Sequence, residues 1–430
     1  MKLIHTADWH LGNTFHGHAR TDEHRHFLEW LLGELESRRP DALIVAGDVF
    51  DSANPPAMAE KLFYDFLTDA VNAVPGLQIV VTAGNHDSGG RLEAAAALLR
   101  RHNIYVRGTV QRLPDTDGPD FDHLILPLSA SGSPEARVVC FALPYLRAAD
   151  YPSGLSAAEG IAWYLKNLRA RLDKSDFRGL PVIVAAHFYA ARADIAACGH
   201  SERLVVGGQD AVEADAAACG AAYTALGHIH KPQRVAGKDT GMYYAGSALP
   251  MSFAEKDYRH GAQWIEIDNE GHAEVSRIDY TPRRTLMSIP DRGAARPQEI
   301  FDAIAALPQR QKDDDGATWP YLEIRVEESR PEPELLHQVE QALEERAVRF
   351  CRMVRETPPG PSRQEQIESF ETLRRLSPLD MARRVYESRY HTPMPAPLEQ
   401  RFTQAEEAAT QENPTTTIPH AHEDRQDNPM

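Results

Sequence analysis

Short apolar runs alternate with amphipathic stretches through the first half of the chain. Residues 3–7, 42–46 and 77–82 are strand-length and almost wholly apolar, and between and after them residues 22–36, 57–71 and 91–101 repeat apolar positions at helical spacing. Strand and helix in alternation predict a parallel sheet with helices on its faces. The same pattern continues with a strand at 138–141, a helix at 157–172 and a strand at 181–186. From Ala222 onward the strands at 223–226, 242–245, 263–267 and 273–280 succeed one another more directly, which predicts antiparallel pairing and a layered arrangement of two sheet regions.

Each apolar run in this half leads into a cluster of polar residues. The clusters are Asp8-Trp9-His10, Gly47-Asp48-Val49-Phe50-Asp51, Gly84-Asn85-His86-Asp87, the lone His187, and Gly227-His228-Ile229-His230. In a strand, residues two apart share a face, so Asp8 with His10, and His228 with His230, are expected to present two ligands to one side. Two aspartates, one asparagine and four histidines offer oxygen and imidazole nitrogen without thiolate, a set that suits manganese, iron or zinc. Seven donors exceed what one ion needs. Two ions about 3.5–4 Å apart accommodate them and can clamp the attacking and leaving oxygens of a phosphoryl displacement. Asp48, central in chain order, is the candidate bridge.

The series D-x-H, G-D-x-x-D, G-N-H-D, H, G-H-x-H over roughly residues 1–250 resembles the calcineurin-like metallophosphoesterase superfamily, and five blocks in order are far more specific than one. The fuller blocks His5-Thr6-Ala7-Asp8-Trp9-His10-Leu11-Gly12, Ala83-Gly84-Asn85-His86-Asp87-Ser88, Ala225-Leu226-Gly227-His228-Ile229-His230 and Ala245-Gly246-Ser247 are similar to the bacterial SbcD family of DNA nuclease subunits. The resemblance implies a four-layer α/β/β/α sandwich with a small α+β capping domain and C-terminal helices. It implies one metal on Asp8, His10, Asp48 and His230, a second on Asp48, Asn85, His187 and His228, and most readily Mn2+ as the ion. On that carry-over His86 is not a ligand, because its neighbour Asn85 already faces the metals; its imidazole would point to the substrate side, placed to steady phosphorane-like charge or protonate a leaving oxygen. Asp51 would then orient His86, as a carboxylate commonly fixes the tautomer of a catalytic imidazole. It further implies exonuclease action on duplex ends, endonuclease action on hairpins, a role in DNA repair and recombination, and an SbcC-type ATPase partner in a heterotetramer containing two copies of this chain. No GxxxxGK[ST] sequence is present, which assigns ATP hydrolysis to that partner. A small-substrate phosphatase would use the same cup, but Ser52-Ala53 stand where phosphoprotein phosphatases carry Arg-Gly.

The expected organisation is a metallophosphoesterase domain at 1–282, a capping domain at 283–356, a linker at 357–362, a helical partner-binding segment at 363–402 and a disordered acidic tail at 403–430. Strands at 286–289, 321–326 and 348–354 alternate with helices at 298–306 and 334–345 in the capping part, where Arg283, Arg284, Arg325, Arg349, Arg352 and Arg355 are candidates for DNA phosphate contact. Pro358-Pro359-Gly360-Pro361 breaks the chain. After it Ile367, Phe370, Leu373 and Leu376, then Leu379, Ala382, Val385 and Tyr386, form apolar stripes with little domain to cover them, the form of a helix that docks in a partner's groove.

Composition narrows the partners. At 430 residues the chain exceeds one hydrophobic core. No run of about 18 apolar residues is present, and a leader cleaved near the N-terminus would remove Asp8 and His10, so neither membrane span nor signal peptide is expected. Cys140, Cys198, Cys219 and Cys351 are widely spaced and lack CxxC pairs, which fits a reducing cytoplasm. The net charge of −17 opposes unaided grip on duplex DNA, whose binding draws on basic surface. Part of that acid lies after Pro395, where Glu399, Glu406, Glu407, Glu412, Glu423, Asp424 and Asp427 face only Arg401 and Arg425. The partner is expected to supply the main DNA-holding surface.

Overall fold

The structure is a computed structural model and describes residues 1–116, 118–190, 193, 212, 219–235, 241–327, 332–356, 378–390 and 392–412. Cys198, the proline-rich linker and the stripe at 367–376 lie outside the described residues.

Residues 1–358 form one compact unit. Its strands are, in chain order, β1 (Lys2–Thr6), β2 (Thr14–Phe15), β3 (His18–Ala19), β4 (Ala42–Ala46), β5 (Gln78–Thr82), β6 (Ile104–Arg107), β7 (Ile125–Ser129), β8 (Ala136–Ala142), β9 (Val182–His187), β10 (Tyr223–Gly227), β11 (Gln233–Arg234), β12 (Met242–Tyr244), β13 (Gly261–Ile267), β14 (Ala273–Asp279), β15 (Leu286–Ile289), β16 (Tyr321–Glu327) and β17 (Arg349–Glu356). One sheet runs β14-β13-β1-β4-β5-β6, and a second runs β11-β12-β10-β9-β8-β7.

The apolar runs are continuous because these strands are covered on both faces. Along β4, Leu43 and Val45 point outward to the helices Thr21–Arg38 and Ala57–Ala73, where they meet Phe27, Leu31, Phe63 and Phe66. Ala42 and Ile44 point inward, and with Leu3, Val80, Cys140, Ile183 and Ala225 they form the core between the sheets. The second sheet's outer face takes Tyr164, Leu165 and Leu168 of the helix Ala157–Leu172. That helix begins at a capping box, with Ser156 Oγ accepting from the Glu159 amide and the Glu159 carboxylate accepting from the Ser156 amide. The result is four layers, α/β/β/α.

Two expectations change here. Only β13 and β14 pair antiparallel as predicted; β12 lies parallel to β10, which lies parallel to β9. Residues 228–241 are long enough to carry the chain back across the sheet, so close succession in sequence did not require a hairpin. The helix expected at 91–101 is instead two short helices, Gly89–Glu93 and Ala96–Leu99, and a 3-10 turn Arg100–His102, with Leu92 its one buried large side chain. An alanine-rich stretch offers little apolar surface to hold a longer helix against the sheet.

The parallel strands β15-β16-β17 carry the helices Pro297–Ala305 and Leu335–Leu343 over a core of Ile300, Ile304, Leu322, Ile324, Val339 and Leu343. A buried polar network ties this sheet to the start of the helix Thr21–Arg38. Tyr321 donates from its hydroxyl to Glu23 (2.6 Å), Arg20 pairs with Glu23 (3.0 Å), and Arg284 forks onto Asp22 (3.0 and 2.6 Å). Arg284 is therefore a structural residue and not a free contact for DNA. Arg325 pairs with Glu356, Arg352 with Glu323, and Arg349 donates to the Gly316 carbonyl, so these guanidiniums are also held within the unit.

Residues 359–430 form the other unit. Its described helices are Pro378–Tyr390 and Ala396–Glu412, joined by a forked Arg383–Glu399 pair (2.7 and 3.0 Å). The second helix runs to Glu412, into the segment expected to be disordered; its alanine, glutamate and glutamine content favours helix.

Candidate metal centre

All five polar blocks come out at the carboxyl ends of parallel strands, where open α/β sheets place their sites. Asp8 and His10 follow β1, Asp48 and Asp51 follow β4, and Asn85 and His86 follow β5; His187 ends β9, and His228 and His230 follow β10. Both sheets contribute, so the inter-sheet packing of alanines and glycines sets how close the ligands come. Gly84 and Gly227 mark the tightest approaches. A Cβ on Gly84 would stand 2.2 Å from Asp48 Oδ1, and one on Gly227 would stand 1.9 Å from the Ala46 carbonyl oxygen.

The paired ligands do not share a face by strand alternation, as the sequence suggested. Asp8, His10, Asp48 and His228 lie beyond the strand ends with positive φ (52°, 46°, 48° and 102°). Non-glycine residues in this region cost about 1–3 kcal/mol each, a strain that clusters at functional sites. The left-handed turn re-aims each side chain into the cup. Backbone bonds hold the strained loops: the His10 amide to the Asp48 carbonyl (3.0 Å), the Ala248 amide to Asp8 (3.1 Å) and the Ser247 amide to His230 (3.1 Å).

Asp8, His10 and His230 converge, as do Asp8, Asp48 and His187. The Asp48 carboxylate stands between the two halves, with Oδ2 3.8 Å from His10 Nε2 and 3.3 Å from His187 Nε2. Asn85 Oδ1 lies 3.0 Å from His187 Nε2 and 3.1 Å from His228 Nδ1. Asp8, His10, Asp48, His187 and His230 are buried, whereas Asn85 and His228 are half-buried and His86 is exposed. The cup thus opens on the His86 side. His86 Nδ1 meets the backbone carbonyl of Asp51 (2.9 Å), not its carboxylate; that carboxylate turns to His10 Nδ1 (3.3 Å) and accepts from the Asn13 amide (3.1 Å). Asp51 therefore meets His86 through its main chain and faces His10 with its charge. His86 also comes close enough to His10 and Asp48 for the three to share an ion.

The electrostatics of the cup call for positive charge. Burial raises the Asp8 carboxyl above its ordinary range. Burial works the same way on Asp48, but the charges of His187, His10 and His86 outweigh it and hold Asp48 well below that range. His187, despite burial, is held up to about 9 by Asp48 and Asp8, while burial pushes His228 down to about 3. His10 Nε2 is buried without a hydrogen-bond partner, and its Nδ1 has the Asp51 carboxylate at 3.3 Å. His187 Nδ1 donates to the Ala46 carbonyl (3.0 Å) and His230 Nδ1 to Glu255 (3.2 Å), which leaves Nε2 as the nitrogen of each that would ligate, a cation taking the place of the proton that Asp48 and Asp8 hold on His187. An unpartnered imidazole nitrogen on His10, two buried carboxylates and an asparagine oxygen fit divalent cations.

Two residues gain roles that local pattern did not assign. Asp87, wholly buried, accepts from the amides of Val49 (3.1 Å), Phe50 (2.9 Å) and Gly84 (2.8 Å), and so clamps the Asp48 loop to the Asn85 loop. Its place in the Gly-Asn-His-Asp block was the available signal. Glu255, the carboxylate behind His230, lies in no block and had none.

Fold and site together define a metallophosphoesterase, and the calcineurin-like phosphoesterase model matches residues 1–232. A second model, the type 5 capsule protein repressor C-terminal domain (SbcD_C), matches residues 282–390. The SbcD subunit of nuclease SbcCD from Rhodobacter capsulatus is 38% identical over 362 residues, covering 82% of this chain and 86% of the relative. The SbcD subunits of Bacillus subtilis (35% identical, 76% and 79% covered) and Escherichia coli K12 (29%, 88% and 90%) are similar over comparable lengths. The chain belongs to the SbcD family of calcineurin-like phosphoesterases.

Proposed function

We propose that this chain is a metal-dependent DNA nuclease that hydrolyses phosphodiester bonds as the nuclease half of a complex with an SbcC-type ATPase. The observation that carries the reading is the convergence of Asp8 and His10 with His230, of Asp8 and Asp48 with His187, and of Asn85 with His187 and His228, with an exposed histidine at the open side. Asp8, His10, Asp48 and His230 would hold one divalent ion and Asp48, Asn85, His187 and His228 the other, with Mn2+ the expected metal. Bound there, the ions supply charge for phosphoryl oxygens and acidify water.

The protein's own groups do the rest. Asp8 and Asp48 compensate the cations, and the Nδ1 bonds of His187 and His230 fix the imidazoles that face them. With His86 Nδ1–H donating to the Asp51 carbonyl, the imidazolium form carries its second proton on Nε2, and it is this proton that would pass to the departing sugar oxygen, leaving neutral imidazole. The Asp87 clamp keeps Asn85 and Asp48 in register while substrate enters.

Residues 283–356 act as a capping domain beside the cup, and the C-terminal helices dock on the ATPase. Val385 and Leu398, large apolar side chains on those helices, are exposed, as a docking stripe requires. Most of the candidate arginines are tied within the unit and the chain carries −17, so the partner supplies most of the grip on DNA. Among the described residues no helix is long and apolar enough to cross a membrane. The free cysteines Cys140, Cys219 and Cys351 fit the cytoplasm as the place of action.

The test is cleavage of hairpin and blunt duplex DNA in Mn2+, with and without the ATPase, beside a phosphomonoester and an Asp48→Ala control. Mn2+-dependent DNA cleavage lost in Asp48→Ala is the expected result. Monoester turnover with DNA left intact would replace the nuclease by a small-substrate phosphatase.

A further inference from the structure

The 3-10 turn Phe253–Glu255 touches the metal centre at one end and the three-stranded sheet at the other. Glu255 is 1% exposed. Its Oε1 faces His230 Nδ1 (3.2 Å) and accepts from the Ser252 hydroxyl (3.2 Å), and its Oε2 accepts from the Met251 amide (2.8 Å). A buried carboxylate is costly unless its partners need it, and here it fixes the tautomer of an imidazole and raises its basicity.

The two flanks of the turn are anchored on the sheet. Phe253, buried, packs with Phe15, Leu286 and Tyr321, and the Arg352 guanidinium lies 5.4 Å from its ring centre. Lys256 donates to Asp291 (2.5 Å to Oδ1) just past β15. On the other flank the Pro250 carbonyl accepts from the buried Arg20 (2.6 Å), which pairs with Glu23, the acceptor of the Tyr321 hydroxyl. Phe253 and Glu255 are two residues apart in one turn, with little slack between them. A shift of the Leu286–Tyr321 face must move Phe253, and Glu255 goes with it.

We propose that this turn couples the three-stranded sheet to the metal centre: Glu255 is the positioning residue for His230, and Phe253 makes that position depend on where the sheet sits. The proposal rests on His230 being a metal ligand. It gives the sheet a way to set metal affinity without touching an ion, and linkage requires the converse, that metal binding steadies the sheet.

The experiment is calorimetric titration of the full-length metal-free protein with Mn2+, using wild type, Asp48→Ala, Glu255→Ala, Glu255→Gln, Phe253→Leu, Phe253→Ala and the double variant Phe253→Ala/Glu255→Ala. Removing the carboxylate is expected to weaken Mn2+ binding about 10- to 100-fold. Glu255→Gln keeps an acceptor oxygen for His230 and recovers part of the loss. Phe253→Ala weakens binding in the same direction, and the double variant binds no worse than Glu255→Ala, because the anchor acts only through the carboxylate. DNA cleavage lost in Glu255→Ala returns at saturating Mn2+, and amide exchange in β15–β17 slows when wild type binds Mn2+.

Binding by Glu255→Ala within about twofold of wild type, or losses that add in the double variant, would overturn the coupling. Should Glu255→Ala or Phe253→Ala fail to fold, Glu255→Gln and Phe253→Leu carry the same comparison. Failure of wild type to bind Mn2+, or unchanged binding by Asp48→Ala, instead removes the metal reading beneath it.

Discussion

Asp87 offers a quantitative test of how the ligand loops are held. Its carboxylate takes three backbone amides, two on Oδ2 from Val49 and Gly84 and one on Oδ1 from Phe50. Asp87→Ala leaves those buried donors without an acceptor, at about 1–3 kcal/mol each before relaxation. Against this stands the cost of the charge itself. Burial, followed by repulsion from Asp48, pushes the Asp87 carboxyl up to about 6 despite the three amides. From an unfolded value near 3.8, that rise corresponds to about 3 kcal/mol of native-state penalty at neutral pH. Asp87→Ala of the metal-free protein is thus expected to lose between about 0 and 6 kcal/mol at pH 7 once relief of that penalty is subtracted.

Asp87→Asn separates the two terms. The amide oxygen can keep the Val49 and Gly84 bonds, while the amide nitrogen meets the Phe50 donor, so one bond is lost and no charge is buried. For an acid whose folded pKa is raised, the native state binds more protons than the unfolded state between about pH 4 and 6, and wild type loses stability as pH rises through that window. Asp87→Asn lacks this loss. Its stability relative to wild type should therefore climb by about 3 kcal/mol between pH 4 and pH 7, read by urea unfolding of the metal-free protein at a series of pH values. A flat difference across the window, or an Asp87→Ala variant more stable than wild type, would refute the clamp.

Gly84→Ala places a methyl group 2.2 Å from Asp48 Oδ1, and displacing that carboxylate by even about 1 Å should lower Mn2+-dependent DNA cleavage about 100-fold or more, measured under single-turnover conditions. Arg284→Ala removes the cation that faces Asp22 and the wholly buried Glu23, and unfolding experiments should show a loss of about 3–5 kcal/mol; less than about 1 kcal/mol would mean that Arg20 alone satisfies Glu23. Burial holds His5 and His24 down to about 3 and His260 to about 4. Depressed below their unfolded value of about 6.5, they remain neutral in the native state while the unfolded chain protonates, so they contribute an acid-side loss of stability that begins below about pH 6.5 and continues towards pH 4. Replacing His5 by glutamine should reduce that acid-side loss in pH-dependent unfolding.

Much of the centre was legible because its information is local. Apolar runs marked β1, β4, β5 and β9 within a residue or two, and a short polar block with ligand-type side chains follows or ends each. The helix over 157–172 was legible for the same reason, its apolar spacing running unbroken between a serine cap and Leu172. Where local pattern was the wrong guide, a distant contact had decided. The side-by-side aim of Asp8 and His10 comes from left-handed backbone held by the loop after β4, and the partner of the Asp51 carboxylate is His10 because the same loop turns it away from His86.

By itself the sequence determined which side chains are candidates to bind metal, their order along the chain, and the parallel core from whose strand ends they emerge, because residue type and apolar periodicity are properties of a few neighbours. Tertiary structure alone decided that β12 lies parallel to β10, that Asp87 laces two ligand loops together, and that Glu255 stands behind His230. Those facts depend on which surfaces meet when two sheets and a third small one pack, and a buried carboxylate is drawn to whatever unsatisfied donors that packing brings within reach, however far away they lie in the chain.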